Sequence, residues 1–226
     1  MGFLNKLTHN SVRDLNWVLA LILISVSFGQ TLIADEKWSR FRGPNGSGVS
    51  ESLGLPLEFG RDRNVLWKTN LPQGHSSPIL SESLIFLTAI RDNMLLTICL
   101  DRESGKILWE RTVPRSREEV IDKRNNSASP SPVVDDEYVY VFFPEYGVLA
   151  YDHAGQKQWD VPLGPFNNVY GMGASPILVG DTVVLVCDQS TGSYLLALDK
   201  KTGSVRWKTE RPEAKSGHST PILYTP

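Results

Sequence analysis

The sequence predicts an all-β chain of repeated four-stranded units, stacked as the blades of a β-propeller. Three observations predict it. An Asp…Gly…Trp ending recurs as Asp101, Gly105 and Trp109, as Asp152, Gly155 and Trp159, and as Asp199, Gly203 and Trp207. A Ser/Thr-Pro beginning recurs at Ser77-Pro78, Ser131-Pro132, Ser175-Pro176 and Thr220-Pro221, with copies roughly 45–55 residues apart, the size of one blade. Between beginning and ending lie short apolar runs punctuated by Gly, Asp and Ser, the pattern of strands joined by tight turns.

The elements follow in chain order. Lys6 and Arg13 precede an apolar run at 17–28, and the small residue Ala34 precedes Asp35. This is the layout of an export signal, so residues 1–34 are expected to be a signal peptide. The run is short against the roughly 20 residues that span a bilayer. An uncleaved N-terminal anchor, tethering the chain through 17–28, is the alternative. The expected location is therefore periplasmic or extracellular, with an inner-membrane anchor under the second reading. Residues 35–64 are loop-rich. The glycines from Gly43 to Gly48 lack a following Gly-Lys-Ser/Thr and a helical pattern, so they are not a phosphate-cradling loop and no nucleotide is expected.

Residues 65–70 repeat the sequence around Trp207 without a preceding three-strand unit and are expected to be an isolated outer strand carrying Trp67. Blades are expected at about 75–112, 127–162 and 172–210, with the start of a further blade at 217–226. The third is the clearest, with strands at 175–179, 182–187, 194–199 and 204–209. Its Asp accepts backbone N–H groups across a tight turn, its Gly takes a positive φ, and its Trp supplies apolar area for the neighbouring unit. Three units and the beginning of a fourth make an open arc, because propellers have about four to eight blades. The chain reads as a partial gene product or a fragment of a longer protein. An arc is expected to expose an apolar blade face at its C-terminal end and to be marginally stable or prone to aggregate.

Composition narrows the function. The formal net charge of -2 offers no basic face for a nucleic acid. The charged stretch 115–123 interleaves both signs and reads as solvated surface. The two cysteines, Cys99 and Cys187, sit in separate apolar strands and are expected to be buried thiols rather than a bridge.

The Asp-x-x-Thr/Ser-Gly-x-x-x-Trp pattern over 65–226 resembles the repeat of the quinoprotein-like, pyrroloquinoline-quinone repeat family, nearer to its exported non-enzymatic members. The resemblance implies a propeller girdled by inter-blade contacts called tryptophan docking motifs, built from Asp101, Gly105, Trp109, Asp152, Gly155, Trp159, Asp199, Gly203 and Trp207. It implies that the Trp67 strand completes a last blade from the other end of the chain. The segment from Trp38 to Gly48 is similar to the opening of exported members.

Two functions follow. The first is an exported repeat scaffold that binds a protein or a cell-envelope component, with no catalytic residue, no metal site and no cofactor. The alternative, implied by the resemblance, is a quinone-dependent alcohol or sugar oxidoreductase, or a fragment of one, with pyrroloquinoline quinone and Ca²⁺. The adjacent-cysteine disulfide common in those dehydrogenases is missing, and no carboxylate cluster has metal-ligand spacing. His75 and His218, in near-identical Gly-His-Ser segments, enter innermost strands. They suit ligand or metal binding, or more plainly a hydrogen-bonded loop. No nucleophile elbow supports a Ser-His-acid hydrolase. With Asn125 and Asn126 in the longest insertion and Asn167 and Asn168 in a comparable loop, these histidines form the expected shared binding face.

Overall fold

The computed structural model describes residues 37–224 and 226. The expected leader 1–34, with its apolar run, lies outside the described residues. Three four-stranded antiparallel sheets succeed one another along the chain. The first holds β1 (Ile79–Leu80), β2 (Leu84–Arg91), β3 (Met94–Asp101) and β4 (Ile107–Pro114). The second holds β5 (Val133–Val134), β6 (Tyr138–Phe143), β7 (Gly147–Asp152) and β8 (Lys157–Pro162), and the third β9 (Ile177–Val179), β10 (Thr182–Cys187), β11 (Tyr194–Asp199) and β12 (Val205–Glu210). In each sheet spatial order equals chain order, which is the up-and-down meander of a propeller blade.

The strands form where β-branched and aromatic residues run together. Tyr-Val-Tyr-Val-Phe-Phe of β6 and Thr-Val-Val-Leu-Val-Cys of β10 are buried almost throughout, because each sheet has a face on either side to cover. Asp92 and Asn93, both at positive φ, make the tight β2–β3 hairpin. A register shift recurs at Cys99/Leu100, Ala150/Tyr151 and Ala197/Leu198, immediately beyond the pairs Cys99–Trp109, Ala150–Trp159 and Ala197–Trp207.

An Asp-to-Gly turn leads into each shift. Asp101 Oδ1 accepts from Ser104 N at 2.8 Å, Asp152 Oδ1 from Gln156 N at 2.8 Å, and Asp199 Oδ1 from Thr202 N at 2.8 Å. Gly105, Gly155 and Gly203 all have positive φ and donate back to the carbonyls of Asp101, Asp152 and Asp199. The middle copy has one residue fewer, and its turn simply closes one residue shorter.

Each Trp then covers the glycine of the next turn along the chain. Trp109 lies over Gly155, where a Cβ would stand 2.7 Å from the ring, and its Nε1 donates to His153 O at 2.9 Å. Trp159 lies over Gly203 at the same 2.7 Å and donates to Lys200 O at 3.0 Å. Residues 65–70 have no strand partner among the described residues, so the expected outer strand lies outside any sheet. Trp67 nevertheless lies against Gly105 and donates to Arg102 O at 3.1 Å, and Thr69 Oγ1 donates to Gly105 O at 2.6 Å.

The recurrent Ser/Thr-Pro beginnings form a second, inner set of contacts. Ser77 N donates to Ser131 Oγ at 2.9 Å, Ser131 N to Ser175 Oγ at 2.9 Å, and Ser175 N to Thr220 Oγ1 at 3.0 Å. Hydroxyl residues therefore recur because each satisfies the backbone donor of the preceding unit. Between these two sets lie the cores: Phe86, Cys99, Trp109, Val139 and Val141 join the first two blades, and Tyr140, Phe142, Trp159, Val183 and Leu185 join the second and third. Cys99 and Cys187 are both free and buried, as expected, and burial pushes both thiols up to about 12.

Candidate binding site on the loop face

The base of the longest insertion, 115–129, is held by the Glu145 side chain. Glu145, in the β6–β7 turn, is buried and accepts from Arg115 Nε at 2.6 Å and from Glu119 N at 3.0 Å. Its backbone carbonyl accepts from Ser116 N at 3.1 Å. Burial by itself would raise the Glu145 carboxyl, but Arg115, Ser127 and the Glu119 N–H more than offset it and hold it below the usual range. The Arg117 guanidinium donates to Pro144 O and Leu163 O, and Glu119 Oε1 accepts from Phe166 N at 2.9 Å. The expectation of a solvated stretch therefore fails at Arg115 and Glu119. Charge alternation in the sequence could not show that a carboxylate some thirty residues on would bury them.

The far end of the insertion reaches the loop before β9. Asn125 Nδ2 donates to Tyr170 O at 2.7 Å, and Asn125 Oδ1 accepts from Asn126 N at 2.8 Å. Gly171, at φ +83, lets this loop approach so closely that a Cβ there would stand 2.6 Å from Ile121. A cavity of about 570 Å³ opens beside the junction, lined by His75, Asp122, Arg124, Asn125, Ser129, Tyr170, Gly173 and His218. The Tyr170 ring lies 5.9 Å from the His218 ring and 5.9 Å from the Arg124 guanidinium.

Of the residues expected to share a face, the structure brings together His75, Asn125 and His218. It does not bring Asn126, Asn167 or Asn168 to the cavity. Asn126 Oδ1 caps Ala128 N at 2.7 Å. Asn167 is engaged with Thr191, its Nδ2 donating to Thr191 Oγ1 at 3.1 Å and its Oδ1 accepting from Thr191 N at 3.1 Å. Asn168 is buried and donates to Asp188 O at 3.0 Å. The Asn126 amide closes its own loop, whereas Asn167 and Asn168 tie theirs to the β10–β11 loop. Asp122, Arg124, Ser129 and Tyr170 complete the cavity and were not singled out. The insertion's length and the aromatic at 170 were the signals for them.

Several of the cavity's polar groups are paired with one another. Asp122 is the cavity's one carboxylate, and it accepts from Arg124 Nε at 2.7 Å and Arg124 N at 2.9 Å, which hold it below the usual range. Ser129 Oγ donates to Asn125 Oδ1, so no base activates it. Among the described residues no group of three His, Cys, Asp or Glu could hold a metal ion. What remains is two imidazoles, a guanidinium and a phenol ring around an open hollow. A second cavity, about 480 Å³, lies at the opposite strand ends between Ser81, Asp135 and His153, where its polar groups are already paired: His153 Nε2 with Asp135 O at 3.0 Å, and Asp135 Oδ2 with Lys200 Nζ at 3.2 Å.

A family profile described as "Outer membrane protein assembly factor BamB" matches residues 58–221. No curated protein matches the sequence. Among solved structures, the chain is similar to the quinohemoprotein alcohol dehydrogenase ADHIIG from Pseudomonas putida HK5, at TM-score 0.58 and 22% identity, over 77% of this chain and 26% of that one. It is also similar to BamB from Moraxella catarrhalis, at TM-score 0.46 and 17% identity, over 63% of this chain and 39% of that one. The likeness to the alcohol dehydrogenase shows the propeller fold, and the chain spans well under half the length of either protein.

Proposed function

From a chain that belongs to the family of the outer membrane protein assembly factor BamB, we propose an exported propeller scaffold that binds a protein of the cell envelope through its loop face. The observation that carries this reading is the pinned insertion. Glu145 fixes its base and Asn125 ties its far end to Tyr170 O, so the insertion holds Arg124 beside Tyr170, His75 and His218. A preorganised loop loses less entropy on binding than a mobile one. The family's description and the leader-like N-terminus support a periplasmic location, with residues 17–28 as signal or tether. The three Trp-over-Gly contacts support reading the girdle as the family's docking motif.

The donor set does not suit the quinone–calcium alternative. Ca²⁺ takes roughly 6–8 oxygen ligands, usually including several carboxylates. The cavity offers Asp122 alone, already bound to Arg124. No catalytic step is therefore assigned to such a pair. The test is a photoreactive side chain placed at Tyr170 and, as a control, at Asp136 on the opposite strand ends, in the producing cell. Crosslinks to an envelope protein from position 170 and not from 136 are expected. Their absence at 170, or saturable quinone binding with turnover in the presence of Ca²⁺, would overturn the reading.

A further inference from the structure

Residues 38–48 lie across the inner strands of the blades. Trp38 O accepts from Leu80 N at 2.9 Å and Ser39 O from Val134 N at 2.9 Å, so the segment crosses from the first blade to the second. It continues to the start of the fourth unit, where Asn45 pairs with both backbone groups of Leu223, donating to its carbonyl at 2.8 Å and accepting from its N–H at 3.0 Å. Between these anchors the Arg40 side chain is drawn inward and is only 8% exposed. Its Nη2 donates to Pro221 O, its Nε has no partner, and among the described residues no carboxylate pairs with it.

A guanidinium buried without a counter-charge is costly, because its hydration is lost and it cannot discard its proton at neutral pH. Here burial lowers the Arg40 pKa and no acid restores it. The surroundings add to the imbalance. Arg40 lines a cavity of about 240 Å³ with Phe41, Arg42, Gly46, His218, Ser219, Thr220 and Ile222. Two guanidinium groups, an imidazole and two hydroxyls therefore border a hollow with no carboxylate in its wall. Gly46, at φ +68, allows the close approach: a Cβ there would stand 3.3 Å from the Arg40 guanidinium and 3.1 Å from Ile222.

We infer that this cavity is a binding site for a small organic carboxylate. The Arg40 and Arg42 side chains supply charge-assisted donors, and the Ser219 and Thr220 hydroxyls supply neutral ones. Phe41 and Ile222 give the carbon chain of the acid an apolar wall, which an inorganic anion would leave unused. The site is separate from the Tyr170 cavity except for His218, which borders both.

The test follows the Arg40 Nε–H resonance and the thermal midpoint of the purified chain during titration with propionate, inorganic phosphate or chloride at constant ionic strength. Propionate is expected to shift the resonance saturably in the millimolar range and to raise the midpoint, since a ligand of the folded state alone stabilises it. Arg40→Gln is expected to weaken this midpoint response at least tenfold and Arg42→Gln severalfold, while Arg124→Gln leaves it unchanged. If Arg40→Gln does not fold, Arg42→Gln carries the comparison. No saturable response, an equal midpoint response in the tested Arg40 or Arg42 variant, or phosphate saturating at tenfold lower concentration than propionate would overturn the assignment. The crosslinking result at Tyr170 is independent of all three.

Discussion

Trp159 and Trp207 occupy the same position of consecutive blades, in strands β8 and β12, opposite Ala150 and Ala197. Trp159 is 8% exposed and Trp207 43%. Every residue of β12 is exposed, whereas β8 buries its Trp. The two motifs differ little in sequence, so burial is not a property of the motif. Trp159 is covered because the Gly203 turn stands beside it, and Trp207 has no such turn among the described residues. Trp67 makes the same point from the other end, since it finds its glycine without belonging to a sheet. A blade is therefore half of an interface, and stability accrues between neighbours rather than within units.

Substitutions can break or sharpen that comparison. The largest effect is expected at the covered tryptophans: Trp109→Ala or Trp159→Ala should cost about 3–5 kcal/mol, read from the denaturant midpoint at unchanged m-value. Equal costs at Trp159 and Trp207 would show that neighbour contact is not what matters. Next, Glu145→Gln should cost about 1.5–3 kcal/mol, because Arg115 keeps its charge but loses its anionic acceptor. The Glu145 carboxyl is held below its usual range, so its contribution is present above the ordinary glutamate range and is lost as pH falls through the lowered value. An acid titration of stability should accordingly be flatter in Glu145→Gln than in the parent chain.

A smaller contrast separates two glycines. Gly203→Ala meets both a positive φ and the Trp159 ring, whereas Gly180→Ala meets a positive φ in open space. The second should cost about 1–2 kcal/mol for backbone conformation alone, and the first measurably more. Equal losses would mean that the Trp159 ring yields freely. The smallest effect is expected at Trp207→Ala, within about 0.5 kcal/mol of the parent, as for other exposed positions.

Much of the fold was legible. The third blade's four expected strands all form, although the first pairs only over Ile177–Val179, since Ser175 is turned to the neighbouring blades. The site was legible only in outline. His75, Asn125 and His218 were found by repeat position and by the length of the insertion. Asn126, Asn167 and Asn168 were grouped with them, yet the Asn126 amide closes its own loop and Asn167 and Asn168 tie theirs to the β10–β11 loop. Nothing local marked Glu145, which lies in a short turn among apolar strands and organises a loop from another part of the chain.

Sequence by itself determined the blades: alternating runs of β-branched and aromatic residues, Asp and Gly at each turn, and one Trp per unit are local requirements that local residues meet. Tertiary structure alone decided which copies of those features are used. Burial of Trp159 and exposure of Trp207, the relay of Ser77, Ser131, Ser175 and Thr220, and the uncompensated charge of Arg40 all depend on what lies across a gap in space. Desolvation and hydrogen bonding act at contact distance, so a residue's environment is set by neighbours that its own stretch of chain does not contain.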